Sequence, residues 1–258
     1  VQTCALPIFC DMYTPINVAP VGTQTETCAW LQRIHRTGAI VGSVCSGALL
    51  LAEAGLLDGR ETAAHWAYGE LFARTYPKVK MRRDSILCLT EEADRIVTAG
   101  GVTAWQDLAI WVVEQLCGPR QAVETAKVHV LQRHDAGQLP FAAANLQITD
   151  DDAVIADCQR WIGKNFAARN PVEAMCSHSG LPARTLARRF KAATGRTPID
   201  YVQALRIEKA KALLESQRSS PDDIAAEVGY DDPTSFRRLF RARVGLSPAA
   251  YRKKFGWI

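Results

Sequence analysis

Two stretches near the C-terminus match each other, and this internal match decides the fold of that half of the chain. "AMCSHSGLPARTLARRFKAATGRTPIDYV" covers residues 174–202, and "IAAEVGYDDPTSFRRLFRARVGLSPAAYR" covers residues 224–252. The offset between matching residues is 49 up to the first matched glycine and 50 after it. The matched pairs are Cys176 with Ala225, Gly180 with Gly229, Leu186 with Phe236, Arg188 with Arg238, Phe190 with Phe240, Gly195 with Gly245, Pro198 with Pro248, and Tyr201 with Tyr251. Such a repeat predicts two copies of one supersecondary unit.

Each copy has the pattern of a helix, a tight turn and a second helix. A small residue in the first helix, Cys176 or Ala225, allows the second helix to cross closely. Glycines then supply a left-handed turn position and, after the second helix, a stop signal. Apolar residues four positions apart in each second helix face the interior. The turn glycines are Gly180 and Gly229, the stop glycines are Gly195 and Gly245, and the inward pairs are Leu186 with Phe190 and Phe236 with Phe240.

The opposite face of each second helix is basic. With Leu186 and Phe190 buried, the outward positions of the first copy are Arg184, Ala187, Arg188 and Lys191. The equivalent positions of the second copy are Thr234, Arg237, Arg238 and Arg241. Arg can form a bidentate pair with guanine O6 and N7, and both Arg and Lys neutralise phosphate. This pattern predicts two recognition helices that enter the major groove of double-stranded DNA.

The distribution of charge points the same way. Residues 151–258 contain 19 Lys and Arg against 12 Asp and Glu, which gives a net charge of +7. Residues 1–150 contain 12 Lys and Arg against 15 Asp and Glu, which gives −3. A basic half favours an anionic polymer as its partner, although charge alone is equally compatible with an ordinary solvated surface.

The segment between the copies, "PIDYVQALRIEKAKALLESQ" at residues 198–217, predicts one long helix. Pro198 suits the first helical position, and apolar residues recur at near-helical spacing. From Pro198 to Glu215 the helix would be roughly 27 Å long, enough to hold two helix-turn-helix units near the ~34 Å separation of successive major grooves. With both copies, this segment resembles the AraC-type DNA-binding domain. That family usually has an N-capping Ser where this chain has Pro182, which fits the first turn but cannot cap it.

The N-terminal half alternates between strand-like and helical segments. "AIVGSV" at residues 39–44 is short, apolar and β-branched, as expected of a buried parallel strand. "SGALLLAEAGLL" at residues 46–57 is apolar on nearly all sides and must be buried. This alternation predicts an α/β layer structure. Residues 41–66, "VGSVCSGALLLAEAGLLDGRETAAHW", and residues 96–114, "IVTAGGVTAWQDLAIWVVE", resemble the PfpI and class I glutamine-amidotransferase-like domain.

Together the two resemblances are those of the GlxA-type transcription regulators, which fuse these two domains. The resemblance implies an α/β N-terminal domain with an incomplete flavodoxin-like parallel sheet and an all-α C-terminal domain with two helix-turn-helix units. We assign residues 25–134 to an N-terminally truncated sensor domain, residues 135–150 to a linker and residues 151–258 to the DNA-binding domain. Residues 1–24 stay unassigned, because the early strands of the fold are not recognisable there, and we expect a truncation or a sequence artefact.

Cys45 follows an apolar strand and precedes an apolar helix, an arrangement in which several hydrolase folds hold a nucleophile. A reactive thiolate needs a base or a positive field to lower its pKa from about 8.5. In the enzymes that this domain resembles, a His commonly follows the Cys, whereas here Ser46 follows it and cannot act as the base. We therefore predict no catalysis and a pocket for a small effector near Cys45, Ser46, His65 and Trp66. Two alternatives stay open: a merely packed small residue at position 45, and a PfpI-class cysteine amidase or protease with a DNA-tethering domain.

No metal or cofactor is indicated. The eight cysteines form no C-x-x-C pair, which favours a reducing cytoplasm, and His129 and His134 lie off the spacing of helical zinc sites and are expected at the surface. No apolar run approaches ~18 residues, and the start "VQTCALPIFCDMYTPI" lacks the basic segment of a secretory signal. The sequence predicts a cytoplasmic transcription regulator with promoter DNA and a small effector as ligands. Further expected partners are RNA polymerase and a second copy through the N-terminal domain; a fragment with an unfilled sheet is the remaining alternative.

Overall fold

A computed structural model of the chain describes residues 5–8 (backbone only), 19–90 and 95–256. The chain divides into two compact parts, Val1–Ala142 and Ala143–Ile258, which we call the N-terminal and the C-terminal domain. The division falls inside the predicted linker, residues 135–150. No helix in the described ranges is long and apolar enough to span a membrane.

The N-terminal domain is built on a mixed sheet. Its strands are β1 (Ala5–Ile8), β2 (Ile40–Val44), β3 (Glu61–Thr62), β4 (Lys80–Met81), β5 (Leu87–Leu89) and β6 (Ile96–Ala99). Four strands lie in the order β1-β2-β6-β5, and β3 pairs with β4 in a second, small parallel sheet. The strands β2 and β6 are parallel, as the resemblance implies, and β1 is parallel to β2, whereas β5 is antiparallel to β6. Only residues 90–95 separate β5 from β6, too few for the crossover of a dozen or more residues that a parallel pair needs.

Five α-helices of the N-terminal domain accompany the sheet in the described ranges. They are α1 (Thr25–Arg36), α2 (Gly47–Glu53), α3 (Gly69–Thr75), α4 (Trp105–Cys117) and α5 (Pro119–Val128). Every residue of β6 is buried, and so is every residue of β2 after Ile40. Helix α2 is buried on most of its surface, including Leu49 and Leu51. These observations confirm the prediction that the β-branched strand and the apolar helix after it belong to the interior of an α/β domain.

The strand β1 lies within residues 1–24, the segment that sequence analysis left unassigned. It pairs with residues 40–43 of β2 and so adds a parallel strand to the sheet. Its sequence signal is weak, because the strand has four residues and one of them is Pro7, a residue that argues against a strand. This segment therefore contributes to the fold through a pairing that its own sequence does not announce.

The described part of the C-terminal domain, residues 143–256, contains helices and no strands. They are α6 (Ala153–Asn165), α7 (Pro171–Ser179), α8 (Ala183–Thr194), α9 (Pro198–Ser216), α10 (Pro221–Glu227), α11 (Pro233–Val244) and α12 (Pro248–Phe255). Two apolar clusters form the interior, one around α8 and one around α11. Helix α9 contributes to both, with Tyr201, Val202 and Leu205 in the first and Ile207, Ala210 and Leu214 in the second. The long helix thus joins two helix-turn-helix units, α7–α8 and α10–α11, as predicted.

The turn glycines adopt the left-handed conformation that the repeat predicted. The φ angle is 68° at Gly180 and 90° at Gly229. A Cβ atom at Gly180 would meet nothing within 4 Å, whereas one at Gly229 would lie 2.7 Å from the carbonyl oxygen of Ala167. The second turn therefore needs glycine for space as well as for backbone conformation.

The predicted linker, residues 135–150, is divided between the two domains. In the N-terminal domain, Gln138 is buried, and its side-chain amide donates to two backbone carbonyl oxygens. In the C-terminal domain, the backbone N–H of Thr149 donates to Gln159, whose amide donates to the carbonyl oxygen of Gln147. Both ends of the segment are thus packed into a domain by hydrogen bonds.

Candidate nucleic-acid interface and effector pocket

The second helices of the two units, α8 and α11, bury the apolar faces that the sequence predicts. Leu186, Phe190, Phe236 and Phe240 are each 0% exposed. All eight residues predicted to face outward are exposed, namely Arg184, Ala187, Arg188, Lys191, Thr234, Arg237, Arg238 and Arg241. The structure thus places these residues on solvent-facing sides of α8 and α11, and their contact with DNA stays a prediction.

Most of the cations on these two faces have no acidic partner among the residues that the structure describes. In the described ranges, no carboxylate forms an ion pair with Arg184, Arg188, Lys191, Arg238 or Arg241. Arg237 is different, because its guanidinium pairs with Asp222 of α10. Cations without a protein partner can neutralise phosphates without first losing an ion pair.

The two helices begin differently. Asp232 caps α11, since its carboxylate accepts from the backbone N–H groups of Thr234 and Ser235. Pro182 occupies the corresponding place before α8 and makes no side-chain cap. The absence of a cap at Pro182 agrees with the departure from the AraC-type pattern noted in the sequence, and it leaves the start of α8 with one restraint fewer.

An ion pair that sequence analysis missed connects α8 to α6. Arg189 donates from Nε and Nη2 to the two carboxylate oxygens of Asp152, at 2.8 and 2.7 Å. The same carboxylate accepts from the N–H groups of Val154 and Ile155 at the start of α6. The hydrogen bonds from Arg189 lower the pKa of Asp152 to about 2, so the pair stays charged near neutral pH. The one sequence signal was a mismatch within the repeat, where Leu239 stands in place of Arg189.

In the N-terminal domain, Cys45 forms the sharp turn between β2 and α2 that the sequence predicts. Its φ angle is 58°, a left-handed value that costs free energy for any residue with a Cβ atom. Its backbone N–H donates to the carbonyl oxygen of Ala99 at 2.9 Å. Cys45 and Ser46 are both buried. Strained turns of this kind are concentrated at functional sites, where the surrounding structure holds them in place.

The structure places the turn at Cys45 and Ser46 and the ring of His65 at the same edge of the sheet. The carboxyl ends of β2 and β6 lie side by side, because their last residues are paired, so the turn at Cys45 and Ser46 lies beside Gly100–Gly101. His65 lies at the same edge, since its Cδ2 atom is 3.9 Å from the place that a Cβ atom of Gly101 would occupy. Crevices at the carboxyl ends of parallel strands are the usual binding sites of open α/β sheets.

The hydrogen bonding of His65 decides what its imidazole can do. Nδ1 accepts from the backbone N–H of Ala67 at 3.2 Å, so the neutral ring carries its proton on Nε2. Burial lowers the pKa of His65, which keeps the ring neutral near pH 7. The single lone pair of this ring, on Nδ1, is occupied by the N–H of Ala67, so the ring offers a ligand a hydrogen-bond donor at Nε2. His65 is therefore better suited to ligand binding than to general-base catalysis.

Gln138 lies beside Trp66 and Gly100, and the sequence did not predict it there. Trp66 packs beside His65, with ring centroids 5.1 Å apart, and its backbone N–H donates to Oε1 of Gln138 at 3.1 Å. A Cβ atom at Gly100 would lie 2.3 Å from Nε2 of Gln138, so this residue closes over the glycine pair. Gln138 is 72 positions from Trp66 in sequence, and no local pattern connects the two.

His134 belongs to a hydrogen-bonded network rather than to the open surface. Its Nδ1 lies 2.6 Å from Oδ2 of Asp107, and its Nε2 lies 3.3 Å from the hydroxyl of Thr103. Asp107 is buried, and the side chain of His134 is 21% exposed. The expectation of a surface position therefore fails for His134, because a carboxylate 27 positions away holds its ring, whereas His129 is exposed. No group of three or more potential metal ligands occurs among the described residues.

Two family models match the chain. A DJ-1/PfpI family model matches residues 19–115, and a helix-turn-helix domain model matches residues 175–254. The chain thus joins a part similar to the DJ-1/PfpI family to a part similar to a helix-turn-helix domain. The first match includes the turn at Cys45 and His65, a residue predicted to line the pocket, and the second includes α8 and α11.

Curated relatives are similar to this chain across both domains. The HTH-type transcriptional regulator CdhR of Pseudomonas aeruginosa is 29% identical over 231 residues, which cover 86% of this chain and 66% of CdhR. The HTH-type transcriptional regulator GlxA of Rhizobium meliloti is 26% identical over 259 residues, which cover 99% of this chain and 77% of GlxA. The chain therefore spans 66% to 77% of the length of these two relatives. Among solved structures, the DNA-binding domain of AdpA in complex with a target DNA is 31% identical, with a TM-score of 0.39, and covers 40% of this chain and 94% of that domain.

Proposed function

We propose that this chain is a sequence-specific, DNA-binding transcription regulator whose PfpI domain binds a small effector. The observation that carries the proposal is the pair of recognition helices, α8 and α11, whose exposed cations mostly lack carboxylate partners among the described residues. The two helices belong to units joined by the single helix α9, so they can act together on one DNA duplex. Curated relatives that align with both domains are transcriptional regulators by name.

The two recognition helices read DNA through equivalent positions. Arg188 and Arg238 occupy the same place in the repeat, away from the buried side chains of Phe190 and Phe240. Each guanidinium forms a bidentate pair with O6 and N7 of a guanine in its own half-site. Lys191 contacts a phosphate, which positions the helix without reading sequence. The half-sites lie about 10 base pairs apart, because α9 sets the separation of the two units.

The effector binds at the carboxyl edge of the PfpI sheet, against Cys45, Ser46, His65 and Trp66. The Nε2–H of His65 donates a hydrogen bond to an acceptor on the effector. Catalysis is not part of the proposal, since His65 holds its proton on the nitrogen that would have to accept one from a thiol. RNA polymerase and a second copy of the chain are the further partners, and the cytoplasm is the compartment in which such a regulator meets its promoter.

The test is binding of substituted proteins to a set of operator variants, each with one base changed. Arg188→Ala and Arg238→Ala should each cost ~1–3 kcal/mol of binding free energy and relax base preference at one position of the corresponding half-site. Lys191→Ala is the matched control on the same helix face, and it should weaken binding to all variants about equally. If both Arg substitutions lower affinity uniformly, with no change in base preference, these residues hold only the backbone and the proposed reading is wrong.

A further inference from the structure

The first recognition helix, α8, is held by a charged contact, and the second, α11, has none at the same place. Arg189 forms a bidentate ion pair with Asp152. The side chain of Arg189 is 34% exposed and that of Asp152 is 17% exposed. We call this pair the fork. Two parallel hydrogen bonds between planar groups fix an orientation as well as a distance. The fork therefore restrains rotation of α8 relative to α6 in a way that a single contact could not.

Asp152 is anchored to the body of the C-terminal domain rather than to α8. It caps α6, and it ends a segment, residues 144–152, that is hydrogen-bonded along its length to α6 and α9. Those bonds join Ala144 N–H to Glu208 (3.1 Å), the Tyr201 hydroxyl to the Leu146 carbonyl (3.2 Å), and Thr149 N–H to Gln159 (2.9 Å). The carboxylate that accepts the hydrogen bonds of Arg189 is thus held in place, and it can restrain the orientation of α8.

The second unit has different contacts at the positions equivalent to Arg189 and Pro182. Leu239 takes the place of Arg189 in the repeat and packs, half-buried, against the apolar cluster of that unit. Asp232 caps α11, whereas Pro182 leaves α8 without a side-chain cap. At the place of the fork, α11 thus has an apolar contact. Its ion pairs, Arg237 with Asp222 and Arg243 with Asp200, lie at other positions of the helix.

We propose that Arg189 and Asp152 are a positioning pair that sets the rotation of α8 for base reading in the first half-site. This inference rests on the proposed function. Consecutive residues on a helix point about 100° apart, so a restraint on Arg189 also directs its neighbour Arg188. Without the fork, α8 rocks on its apolar contacts, and the guanidinium of Arg188 loses its alignment with the guanine edge. Reading by α11 is unaffected, because its cap and core are its own.

Two substitutions in the full chain remove the fork by different routes. Asp152→Asn keeps a cap for α6, because Asn caps helices as well as Asp does, but it removes the charge that Arg189 pairs with. Arg189→Met keeps the aliphatic stem and removes the guanidinium. Asp232→Asn is the matched control. Asp232 caps α11 by accepting from the N–H groups two and three residues ahead, as Asp152 does for α6. Unlike Asp152, Asp232 pairs with no Arg or Lys in the described ranges.

The experiment measures base discrimination in each half-site separately. Binding sites are first selected from random DNA with the unsubstituted chain, and the first half-site is the one whose preference changes in Arg188→Ala. We expect Asp152→Asn and Arg189→Met each to reduce discrimination in the first half-site by about tenfold, the usual scale for a charged hydrogen-bonded contact. Discrimination in the second half-site should stay within about twofold, and the double variant should match the single ones, since each removes the same fork. Asp232→Asn should leave the first half-site unchanged.

Several results would overturn the inference. A uniform fall in affinity for every sequence, or an equal loss of discrimination in both half-sites, would give the fork a role in fold stability alone. Unchanged discrimination, or losses that add in the double variant, would show that no shared positioning contact exists. If Arg189→Met loses its helical circular dichroism signal, the result for Asp152→Asn decides. If both variants lose that signal, the fork is needed for folding and the inference is wrong. If the unsubstituted chain selects no DNA, the proposed function fails instead.

Discussion

The backbone conformation of Cys45 and the tautomer of His65 determine which hydrogen bonds the carboxyl edge of the sheet can offer a ligand. The φ of 58° at Cys45 belongs to a strand-to-helix turn of the kind in which several hydrolase folds hold a nucleophile. His65 lies at the same edge of the sheet, and its Nδ1 accepts a hydrogen bond from the N–H of Ala67. In this tautomer the lone pair of the His65 ring is occupied, so the ring can act on a ligand as a hydrogen-bond donor through Nε2.

A pH dependence of stability follows from His65. Burial lowers its pKa in the folded state below the ordinary value of about 6.5 that the unfolded chain keeps. Between these two pKa values the unfolded chain binds more protons, so stability is lost as pH falls below about 6.5. His65→Asn keeps an acceptor for Ala67 and should reduce the drop in calorimetric melting temperature of the PfpI domain between about pH 7.5 and about pH 5.5. His129→Asn, at an exposed position, is the control; an equal reduction there would contradict the assignment.

At the scale of elements, the two helix-turn-helix units are the same pattern built into different surroundings. Each turn needs a left-handed residue, and each has glycine. At Gly180 the space beyond the α-carbon is open, whereas at Gly229 it is filled by the backbone of Ala167. The first unit depends on its glycine for backbone conformation alone, and the second unit depends on it for close packing as well.

Substitution of the two glycines should therefore have unequal costs. Gly180→Ala should destabilise the C-terminal domain by roughly 1–2 kcal/mol, the cost of a left-handed residue with a Cβ atom. Gly229→Ala adds an overlap with Ala167 and should cost about 1–3 kcal/mol more. Hydrogen exchange of the α9 amides in the intact chain measures the free energy of opening of this domain. Equal losses for the two substitutions would show that the second turn relaxes freely.

At the scale of the whole molecule, charge is divided between the domains. The C-terminal part carries a net charge of +7 over residues 151–258, and residues 1–150 carry −3. The cations of α8 and α11 are exposed and largely without carboxylate partners in the described ranges. A duplex docked on this domain would release counterions, while the acidic N-terminal part adds little attraction for DNA.

DNA affinity should therefore fall steeply with salt. The logarithm of the association constant should fall by ~0.9 per phosphate neutralised for each tenfold rise in salt, measured between roughly 50 and 200 mM. Lys191→Ala should reduce this slope by about one phosphate contact. Arg120→Ala removes the same charge from the exposed surface of the other domain and should leave the slope unchanged. A flat salt response would contradict docking through both recognition helices.

The features that the sequence predicted correctly are local ones. Spacings of three and four residues, the turn and stop glycines and Pro198 belong to single elements. The repeat and the segment between its copies therefore predicted α7 to α11 and which face of α8 and α11 is buried. The turn at Cys45 was predictable for the same reason, since strand, turn and helix follow each other in the chain. Hydrophobic periodicity and turn chemistry act over a few residues and are visible without a tertiary fold.

Only the tertiary structure decided which distant polar groups meet. Arg189 pairs with Asp152 across 37 positions, His134 with Asp107 across 27, and Gln138 reaches Trp66 across 72. The parallel pairing of β1 belongs to the same class, because a strand of four residues that contains Pro7 has no clear local signal and is defined by its pairing with β2. A hydrogen bond or an ion pair needs two groups within about 3 Å, and chain folding brings them there without leaving a period in the sequence.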